Sequence, residues 1–369
     1  MNLAVIGTGM VGRLIAVELS KKYQVYAIDN NTTNLNILKK LNSKIITKEM
    51  DVKNEDFLDS LEDTEIIVNC VPGFMGFETS KKILEKKTCV DISFMPEDCN
   101  KLKNITDEAK TALYPDAGVA PGLSNLIVGN LISKNNLKEI KIMVGGLPIE
   151  KNPPWNYKAP FSPIDVIEEY TRPARLFENG NIVIKEPLSE IESISFNEVE
   201  DLEAFNTDGL RSLLYTMSHV PSMKEKTLRY PGHAQKIQLL KEIGFFQENT
   251  RKINDTDYKP IEITADILKE NWFLKENEEE FTVMRIVVKN QKRRIEIDLY
   301  DEYDQNTKIT SMARTTGYTC TAGANLVLKN IFNNIGIFPP EIIGKNLSCY
   351  EFIIKYLQER NVNLKTKEN

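Results

Sequence analysis

The chain has 369 residues, of which 27% are charged, and its formal net charge is -6. A chain of this length can bury a large core and is expected to form two domains. The mildly acidic balance gives no reason to expect nucleic acid or an anionic membrane as a partner, so small polar ligands are the better expectation. The five cysteines form no C-x-x-C pair, which argues against a zinc site or a disulfide framework and fits a reducing cytoplasm. A strand-like run begins at Asn2 and no apolar stretch is long enough to span a membrane, so the sequence predicts a soluble cytoplasmic protein without a signal peptide.

The first third of the chain alternates short β-type runs with helical patterns. The strand-like runs are "LAVI", "QVYAI", "KIITKEM", "EIIVNCV", "TCVDIS" and "TALYPDAG". Such an alternation predicts an α/β fold with a Rossmann-type, doubly wound parallel sheet. We expect this dinucleotide-binding domain to cover residues 1–121.

Residues 122–314 show a different pattern of predicted strands and helices. Strands are expected in "EIKIMVGG", in "ARLFENGNIVIKE" with a hairpin turn at Asn179-Gly180, and in "ESISFNEV", "FTVMRIVV" and "RRIEIDLY". Helices are expected in "DGLRSLLYTM", "HAQKIQLLKEIGFF" and "IEITADILKENW". This predicts a mixed α/β domain with a largely antiparallel sheet, which we expect to bind substrate and to form a homodimer.

The last segment, residues 315–369, begins with the small-residue stretch "TTGYTCTAGANLVLKNIF". We expect this stretch to form a helix that returns to the first domain and completes it. The tail "KTKEN" is expected to be solvated surface.

A G-x-G-x-x-G motif, Gly7, Gly9 and Gly12, lies between the first strand and the first helix. The first glycine permits a sharp turn, the second allows backbone N–H groups to approach a pyrophosphate, and the third permits close packing of helix and strand. The helix start at Met10 and Val11 adds partial positive charge for phosphates.

The second strand ends at Asp29, about 20 residues after the motif, the usual distance to the ribose-binding acid of this fingerprint. A carboxylate there accepts hydrogen bonds from two ribose hydroxyls and repels a 2′-phosphate. No Arg or Lys occurs from Asn30 to Asn34, so the sequence favours NAD over NADP.

Three further loops follow predicted strands, at the edge where open α/β sheets bind ligands. Val71 and Pro72 belong to a turn that could run beneath the nicotinamide ribose. Asp51 could contact adenine or act as a helix cap. Asp91 and Ser93 would face the reactive end of the cofactor.

The second domain carries aromatic and basic residues in segments predicted to be loops: "PPWNYKAPFSP", "EEYTRPAR", "NTDGLRS" and "KTLRYPGH". The carboxylate-binding forks that they offer are Arg172, Arg175, Arg211 and Arg229. The candidate proton carriers are Tyr157, Lys158, Tyr230 and His233. An amino-acid substrate would suit such a set.

Several blocks in the same order extend this pattern over nearly the whole chain. "DAGVAPGLSN", "VGGLP", "YKAPFSPIDVIEEYTRPAR", "DGLRSLLYT", "TLRYPGH" and "ARTTGYT" closely resemble the saccharopine dehydrogenase-like family, specifically its prokaryotic L-lysine 6-dehydrogenase branch. Saccharopine reductase relatives have a "GYKFSW"-type segment where this chain has "NYKAPFSP". That departure, with the "EEYTRPAR" run, favours the lysine branch.

The resemblance implies oxidative deamination of L-lysine at the ε-carbon with NAD and water. The products would be NADH, ammonia and 2-aminoadipate 6-semialdehyde, which cyclises to piperideine-6-carboxylate. The ε-ammonium must lose a proton before hydride leaves, because a positive nitrogen opposes positive charge on the adjacent carbon. For that step we favour Lys158 or Tyr157, with His233 as the alternative.

Other positions follow from the same resemblance. Arg211, and second Arg229, are expected to hold the substrate's α-carboxylate, since both lie in blocks that resemble substrate-facing segments of the family. Asp91 and Ser93 could orient the ε-amine or the attacking water, and Ser124 could line the same wall.

Two alternatives remain open on the sequence alone. A saccharopine dehydrogenase acting on a secondary amine would need more cationic forks, which the arginines permit. A non-catalytic NAD-binding regulator would keep the sheet but lack catalytic residues. The intact loop blocks argue against this alternative. A methyltransferase with the same glycine turn is disfavoured by the strand pattern that continues into a second domain.

Overall fold

A computed structural model describes residues 1–54, 56–159, 163–275 and 278–368. The chain divides into two compact units. Unit 1 comprises Met1–Asn135 and Ala313–Val362, and unit 2 comprises Asn136–Met312 and the residues from Asn363 onward. The "PFS" part of the "NYKAPFSP" motif lies outside the described residues.

Unit 1 is built around a seven-stranded sheet in the described part of the chain. Its strands are β1 (Asn2–Ile6), β2 (Gln24–Asp29), β3 (Ile46–Glu49), β4 (Ile66–Asn69), β5 (Thr88–Asp91), β6 (Ala112–Tyr114) and β17 (Gly336–Ile337). Its helices are α1 (Met10–Ser20), α2 (Thr32–Leu41), α3 (Gly73–Leu84), α4 (Lys103–Ala109), α5 (Leu123–Ile132), α10 (Ser311–Leu328), α11 (Pro340–Gly344) and α12 (Leu347–Gln358).

The strand order is β17-β6-β5-β4-β1-β2-β3, and every described pair in this sheet is parallel. The reversal beside β1 is the switch point of a doubly wound sheet, where ligands bind at the carboxyl ends of the strands. All four residues of β4 are buried, as expected of a strand with helices on both faces. The predicted Rossmann-type sheet is confirmed, with β17 as an additional edge strand.

Unit 2 contains most of the remaining elements. Its strands are β7 (Glu139–Pro148), β8 (Ala174–Glu178), β9 (Asn181–Lys185), β10 (Glu192–Ile194), β11 (Leu202–Asn206), β12 (Ser222–Arg229), β13 (Arg251–Ile253), β14 (Thr256–Tyr258), β15 (Glu280–Lys289), β16 (Arg294–Glu302) and β18 (Leu364–Glu368). Its helices are α6 (Pro163–Thr171), α7 (Leu213–Thr216), α8 (His233–Glu242) and α9 (Pro260–Trp272).

The main sheet of unit 2 runs β10-β11-β12-β7-β15-β16-β18, with β8 paired to β12 and β9 paired to β8. The β12–β7 pair is parallel, and the other described pairs are antiparallel. The predicted mixed, largely antiparallel sheet is therefore confirmed. So is the hairpin turn, in which Asn179 and Gly180 have φ values of 51° and 81°.

Several local expectations were wrong. The "KTLR" part of a segment expected to be a loop forms the end of β12, and "DGLRSLLYTM" forms only the four-residue α7. The tail is exposed over residues 365–368, as expected of solvated surface, and it also pairs with β16 as part of strand β18.

The unit boundaries also differ from the expected Pro121 and Thr315. Helix α5 stays in unit 1, where it packs so tightly on α11 that a Cβ at Gly129 would lie 2.1 Å from the Glu341 carbonyl oxygen. The pairing of β18 with β16 places the last residues in unit 2. Among the described residues, no helix is both long and apolar enough to cross a membrane.

Candidate functional site

The glycine motif of unit 1 forms a tight turn between β1 and α1. Gly7 has φ 84°, and a Cβ there would lie 2.5 Å from the carbonyl oxygen of Cys70. A Cβ at Gly12 would lie 1.9 Å from the Gly7 carbonyl oxygen. Any side chain at either position would therefore displace backbone, so both glycines are required by the turn itself.

Gly9 differs from its two companions. It is the exposed N-cap of α1, and a Cβ there would meet no atom within 4 Å. Met10 and Val11 begin the helix, and its first turn contains no acidic residue. A helix N-terminus whose own first turn carries no acidic residue is suited to an anionic group such as a pyrophosphate.

Asp29 lies beside this turn at the end of β2. Its Oδ2 accepts hydrogen bonds from the Thr8 N–H at 2.7 Å and the Thr8 hydroxyl at 2.9 Å. Its Oδ1 accepts from the Asn31 N–H at 2.8 Å, which leaves acceptor capacity on that oxygen, since a carboxylate has about four acceptor positions. Asn30 is exposed directly after it. The carboxylate thus fixes the glycine turn and can still bind a ribose hydroxyl.

The loops after β3 and β4 carry the other expected cofactor residues. Asp51 lies beyond the end of β3, and its Oδ1 accepts from the Lys53 N–H at 2.9 Å. This contact closes a local turn, and no helix begins in the described residues 51–54 and 56–58, so Asp51 is a turn residue and not a helix cap. Val71 donates its N–H to Asn69 Oδ1 at 3.4 Å, and Pro72 is the exposed N-cap of α3.

A group of buried polar side chains at the ends of β4 and β5, here called the β5 node, consists of Asn69, Ser80, Asp91 and Ser93. Asp91 Oδ2 accepts from Asn69 Nδ2 at 2.7 Å and from the Ser80 hydroxyl at 2.8 Å. Its Oδ1 accepts from the N–H of Ser93 at 2.9 Å and its hydroxyl at 2.8 Å. Burial raises the pKa of Asp91 to about 6 despite these hydrogen bonds.

The burial and the internal hydrogen bonds of Asp91 and Ser93 therefore argue against direct contacts with substrate. The Asp91 carboxylate is 1% exposed, and four internal donors occupy its oxygens. Ser124 is likewise 1% exposed in α5 and donates to Asn125 Oδ1 at 3.0 Å. All three side chains face the interior of unit 1.

Asp116 lies two residues after the end of β6 and begins the "DAGVAPGLSN" block of the resemblance, but no individual role was predicted for it. It is buried with φ 52°, an uncommon conformation for a residue with a side chain, and its charge raises the pKa of Asp91. An Asp between proline and alanine-glycine at a strand end was the signal that could have identified it.

In unit 2, the structure brings three predicted residues together with two others in what we call the arginine cluster: Tyr157, Glu169, Tyr170, Arg229 and His233. Arg229 is 2% exposed. It donates to Glu169 Oε2 at 2.7 Å, to the Tyr170 hydroxyl at 3.1 Å and to the Tyr157 hydroxyl at 3.4 Å. Its guanidinium also lies 4.3 Å from the ring centroid of Tyr157.

These contacts change the interpretation of Arg229. A guanidinium that already faces Glu169 and two phenols is a structural centre of the cluster, and binding a substrate carboxylate would require displacing Glu169. Burial raises the pKa of Glu169, and the charge of Arg229 opposes that rise.

His233 occupies the first position of α8 and uses both ring nitrogens. Nδ1 lies 3.2 Å from the Trp155 carbonyl oxygen, and Nε2 lies 3.0 Å from the Tyr170 hydroxyl. We assign the proton to Nδ1, because a carbonyl can only accept. Burial and the Arg229 charge lower the pKa of His233 to about 3, which keeps the ring neutral and argues against a role as exposed base.

Tyr157 and Lys158 are adjacent in sequence but differ in environment. Tyr157 is 1% exposed, and burial raises its pKa well above the ordinary value although the Arg229 charge opposes this. Lys158 Nζ donates to the carbonyl oxygens of Asn271 at 3.2 Å and Phe273 at 3.3 Å, at the end of α9. An ammonium held by carbonyls at a helix C-terminus is poorly placed to accept a proton.

Arg211 is the other arginine expected to hold the substrate's α-carboxylate. It is 9% exposed and has φ 54°, in the turn that precedes α7. Gly209 lies two residues before Arg211. The Glu225 carboxyl group packs against Gly209 so closely that a Cβ there would lie 2.3 Å from the carboxyl carbon.

Glu225 on β12 is a residue that sequence reasoning missed. Its Oε2 accepts from the Thr207 hydroxyl at 2.6 Å and from the Gly209 N–H at 3.1 Å. Burial, and then the charges of Glu169 and Asp208, raise its pKa to about 8. The signal was alternation within "SMKEKTLR", which places Glu225 and Arg229 on one face of a strand.

No group of three or more histidine, cysteine, aspartate or glutamate side chains in the described ranges is arranged to hold a metal ion.

Two adjoining family models match the chain. Residues 3–119 match the saccharopine dehydrogenase NADP binding domain, and residues 118–362 match the saccharopine dehydrogenase C-terminal domain. The first match confirms that the expected cofactor is a nicotinamide dinucleotide, without deciding between NAD and NADP.

Curated relatives are distant and longer. The mitochondrial alpha-aminoadipic semialdehyde synthase of Rattus norvegicus is 24% identical over 260 residues, which make up 66% of this chain and 26% of that protein. The saccharopine dehydrogenase [NADP(+), L-glutamate-forming] of Schizosaccharomyces pombe is 23% identical over 246 residues, 62% of this chain and 54% of the relative. The chain thus spans about a quarter of the first relative and about half of the second.

Among solved structures, apo saccharopine dehydrogenase (L-Glu forming) from Saccharomyces cerevisiae superposes with a TM-score of 0.80 at 17% identity. The match covers 100% of this chain and 99% of the other. At this identity the likeness confirms the fold.

Proposed function

Since the chain belongs to the saccharopine dehydrogenase family, we propose that it is an amino-acid dehydrogenase of lysine metabolism that oxidises L-lysine at the ε-carbon with NAD. The products would be 2-aminoadipate 6-semialdehyde, ammonia and NADH. When bound, the nicotinamide ring accepts the hydride that leaves the ε-carbon.

The preference for NAD rests on Asp29. Its carboxylate beside the glycine turn would repel a 2′-phosphate, and no Arg or Lys occurs from Asn30 to Asn34 to compensate. Gly7, Gly9 and Gly12, with the N–H groups of Met10 and Val11, would hold the pyrophosphate. The family model names NADP, so a direct comparison of the two cofactors is part of the test.

The observation that carries the choice of lysine is the charge balance inside unit 2. Arg229 faces Glu169 at 2.7 Å, and Arg175 binds Asp208 through two hydrogen bonds of 2.8 Å. The neighbours that raise the pKa of Glu225 are carboxylates. In these contacts the arginines are already paired with carboxylates, and Glu225 adds a buried acid. A substrate with two ammonium groups and one carboxylate therefore suits these contacts better than a substrate with three carboxylates.

Within that proposal, Arg211 remains the candidate for the substrate α-carboxylate. Tyr157 stays the proposed proton acceptor on the resemblance and on the cation of Arg229 beside its hydroxyl, although burial outweighs that charge and raises the pKa of Tyr157 well above its ordinary value. The ring nitrogens of His233 and the ammonium of Lys158 are instead engaged in hydrogen bonds to neighbouring residues.

Saccharopine is the second candidate substrate, because the yeast relative and the superposed structure are both named saccharopine dehydrogenases. The test is reduction of NAD or NADP, followed by absorbance, with L-lysine, saccharopine and other amino acids. We expect NADH from lysine. Activity on saccharopine but not on lysine would replace the proposal, and activity on no amino acid would favour an NAD-binding regulator.

We also propose a homodimer through unit 2. Strand β9 pairs with β8 along one edge, and it exposes Ile182 by 56% and Ile184 by 68%. An apolar edge strand of this kind is suited to pairing with a second copy. Ile184→Lys should halve the mass measured by light scattering if the dimer uses this edge, whereas Ile253→Lys, in the separate β13–β14 hairpin, should leave it unchanged.

A further inference from the structure

The β5 node connects two loops of unit 1 to the Asp91 carboxylate, one of them through Asn69, and the Asp91 backbone bonds a third loop. Asn69, which donates to Asp91, accepts the Val71 N–H in the loop after β4. The Asp91 side chain accepts the Ser93 N–H in the loop after β5, and its backbone carbonyl accepts the Ala117 N–H at 2.8 Å in the loop after β6.

These loops leave the carboxyl ends of three adjacent parallel strands, β4, β5 and β6. That edge is where an open α/β sheet binds its ligand. The glycine turn and Asp29 belong to β1 and β2 and would hold the pyrophosphate and the adenosine ribose. The three loops are therefore left for the nicotinamide half of the dinucleotide.

The β5 node is also packed too closely for its side chains to adopt other positions. A Cβ at Gly76 in α3 would lie 1.9 Å from the Ser93 hydroxyl oxygen. Asn69 and Ser80 are 0% exposed, so water does not replace a lost partner. A buried carboxylate adds little stability over apolar packing, but four donors aimed at it fix the directions of the backbone segments that carry them.

We propose that Asp91 is a positioning residue, whose carboxylate does not touch the dinucleotide but holds the loops after β4 and β5 in the conformation that binds its nicotinamide half. This inference rests on the nicotinamide dinucleotide of the proposed function and is independent of the substrate.

Replacement Asp91→Asn keeps the size of the side chain but turns one acceptor oxygen into a donor. At least one of the donors Asn69, Ser80 and Ser93 then loses its acceptor, and the loops spend time in other conformations. The apparent Kd rises in proportion to the loss of the competent population.

The test is calorimetric titration of the protein with NAD and, separately, with ADP, which lacks the nicotinamide half. For Asp91→Asn we expect the Kd for NAD to rise by about tenfold or more, while the Kd for ADP changes by less than about twofold. Asp107→Asn, which removes a surface partner of Lys103 at 2.9 Å, should change neither. Amide exchange at Val71 and Ser93 should quicken in Asp91→Asn without any ligand, and exchange at Ala117, which bonds the Asp91 backbone carbonyl, should change less.

Equal rises for NAD and ADP, or an unchanged Kd for NAD, would overturn the inference. Should Asp91→Asn fail to fold, Ser80→Ala removes one donor without changing charge and decides the question by the same two titrations. If the wild type binds ADP but neither NAD nor NADP, the proposed cofactor fails, and this is a distinct outcome.

Discussion

The glycine turn of unit 1 and the arginine cluster of unit 2 differ in how their residues are brought together. Gly7, Gly9 and Gly12 are close in sequence, and a fixed spacing is enough to identify them. Arg229 meets Tyr157 and Glu169 only because β12, α6 and the segment before it pack together. Local spacing therefore reveals cofactor binding, whereas the chemistry that selects a substrate depends on tertiary packing.

The largest expected effect on cofactor binding is at Gly12. In Gly12→Ala the new Cβ would lie 1.9 Å from the Gly7 carbonyl oxygen, so the turn must open. We expect binding of NAD to be lost and unfolding to become easier by about 1–3 kcal/mol or more. Gly9→Ala, whose Cβ meets nothing within 4 Å, should keep its melting temperature. Equal melting temperatures for both variants would show that the turn is less constrained than its geometry indicates.

A second test separates a structural from a substrate-binding role of Arg229. Arg229→Met leaves Glu169 buried without its cation, which should cost about 3–5 kcal/mol of unfolding free energy. Urea unfolding can be followed by tryptophan fluorescence, because Trp155 and Trp272 both pack against His233 of the cluster. Arg294→Met, which removes an exposed partner of Glu296, should cost about 0–1 kcal/mol. A stable Arg229→Met protein with a raised KM would return Arg229 to the substrate site.

The pH dependence of stability tests Glu225. Its folded pKa of about 8 lies above its ordinary value of 4.5, so between these values the folded protein binds a proton that the unfolded chain does not. The stability contributed by this group is full below pH 4.5, falls as pH rises from 4.5 to 8, and is lost above pH 8. Glu225→Gln should match the wild type near pH 4.5 and be more stable above pH 8, at about 1.4 kcal/mol per unit of pKa shift as an upper bound. Parallel stability curves for the two proteins would contradict this.

Arg211 tests the substrate contact itself. Arg211→Ala should raise the KM for lysine by about tenfold to hundredfold, the loss of one charged hydrogen-bonded contact, with a smaller change in kcat. Arg251→Ala on the exposed β13 serves as the control. Unchanged kinetics in Arg211→Ala would remove this residue from the site.

The smallest effect is expected for Lys158→Ala. The ammonium holds carbonyls at the end of α9, so we expect a loss of about 0.3–1 kcal/mol in stability and near-normal turnover across pH. A collapse of turnover with retained stability would instead make Lys158 the base.

The sequence was sufficient for the first six strands of the parallel sheet, for the mixed character of the second sheet, for the glycine turn and for the hairpin at Asn179, because each depends on short-range periodicity or on a backbone conformation that few residues adopt. Strands β12, β17 and β18 were not predicted. It was insufficient for Asp91, since the spacing that places it at a strand end does not say that Asn69 and Ser80 will enclose its carboxylate. Glu225 was missed because its neighbours Glu169 and Asp208 come from other elements. Arg229 was identified as important, but only the packing gives it Glu169 as partner.

The central claim is oxidation at the ε-carbon of lysine. The most direct measurement uses L-lysine isotopically labelled at the ε-nitrogen, with NAD, and follows both NADH and the released ammonium. The account predicts labelled ammonium in equal amount to NADH. Unlabelled ammonium, or NADH formed from saccharopine and not from lysine, would contradict it.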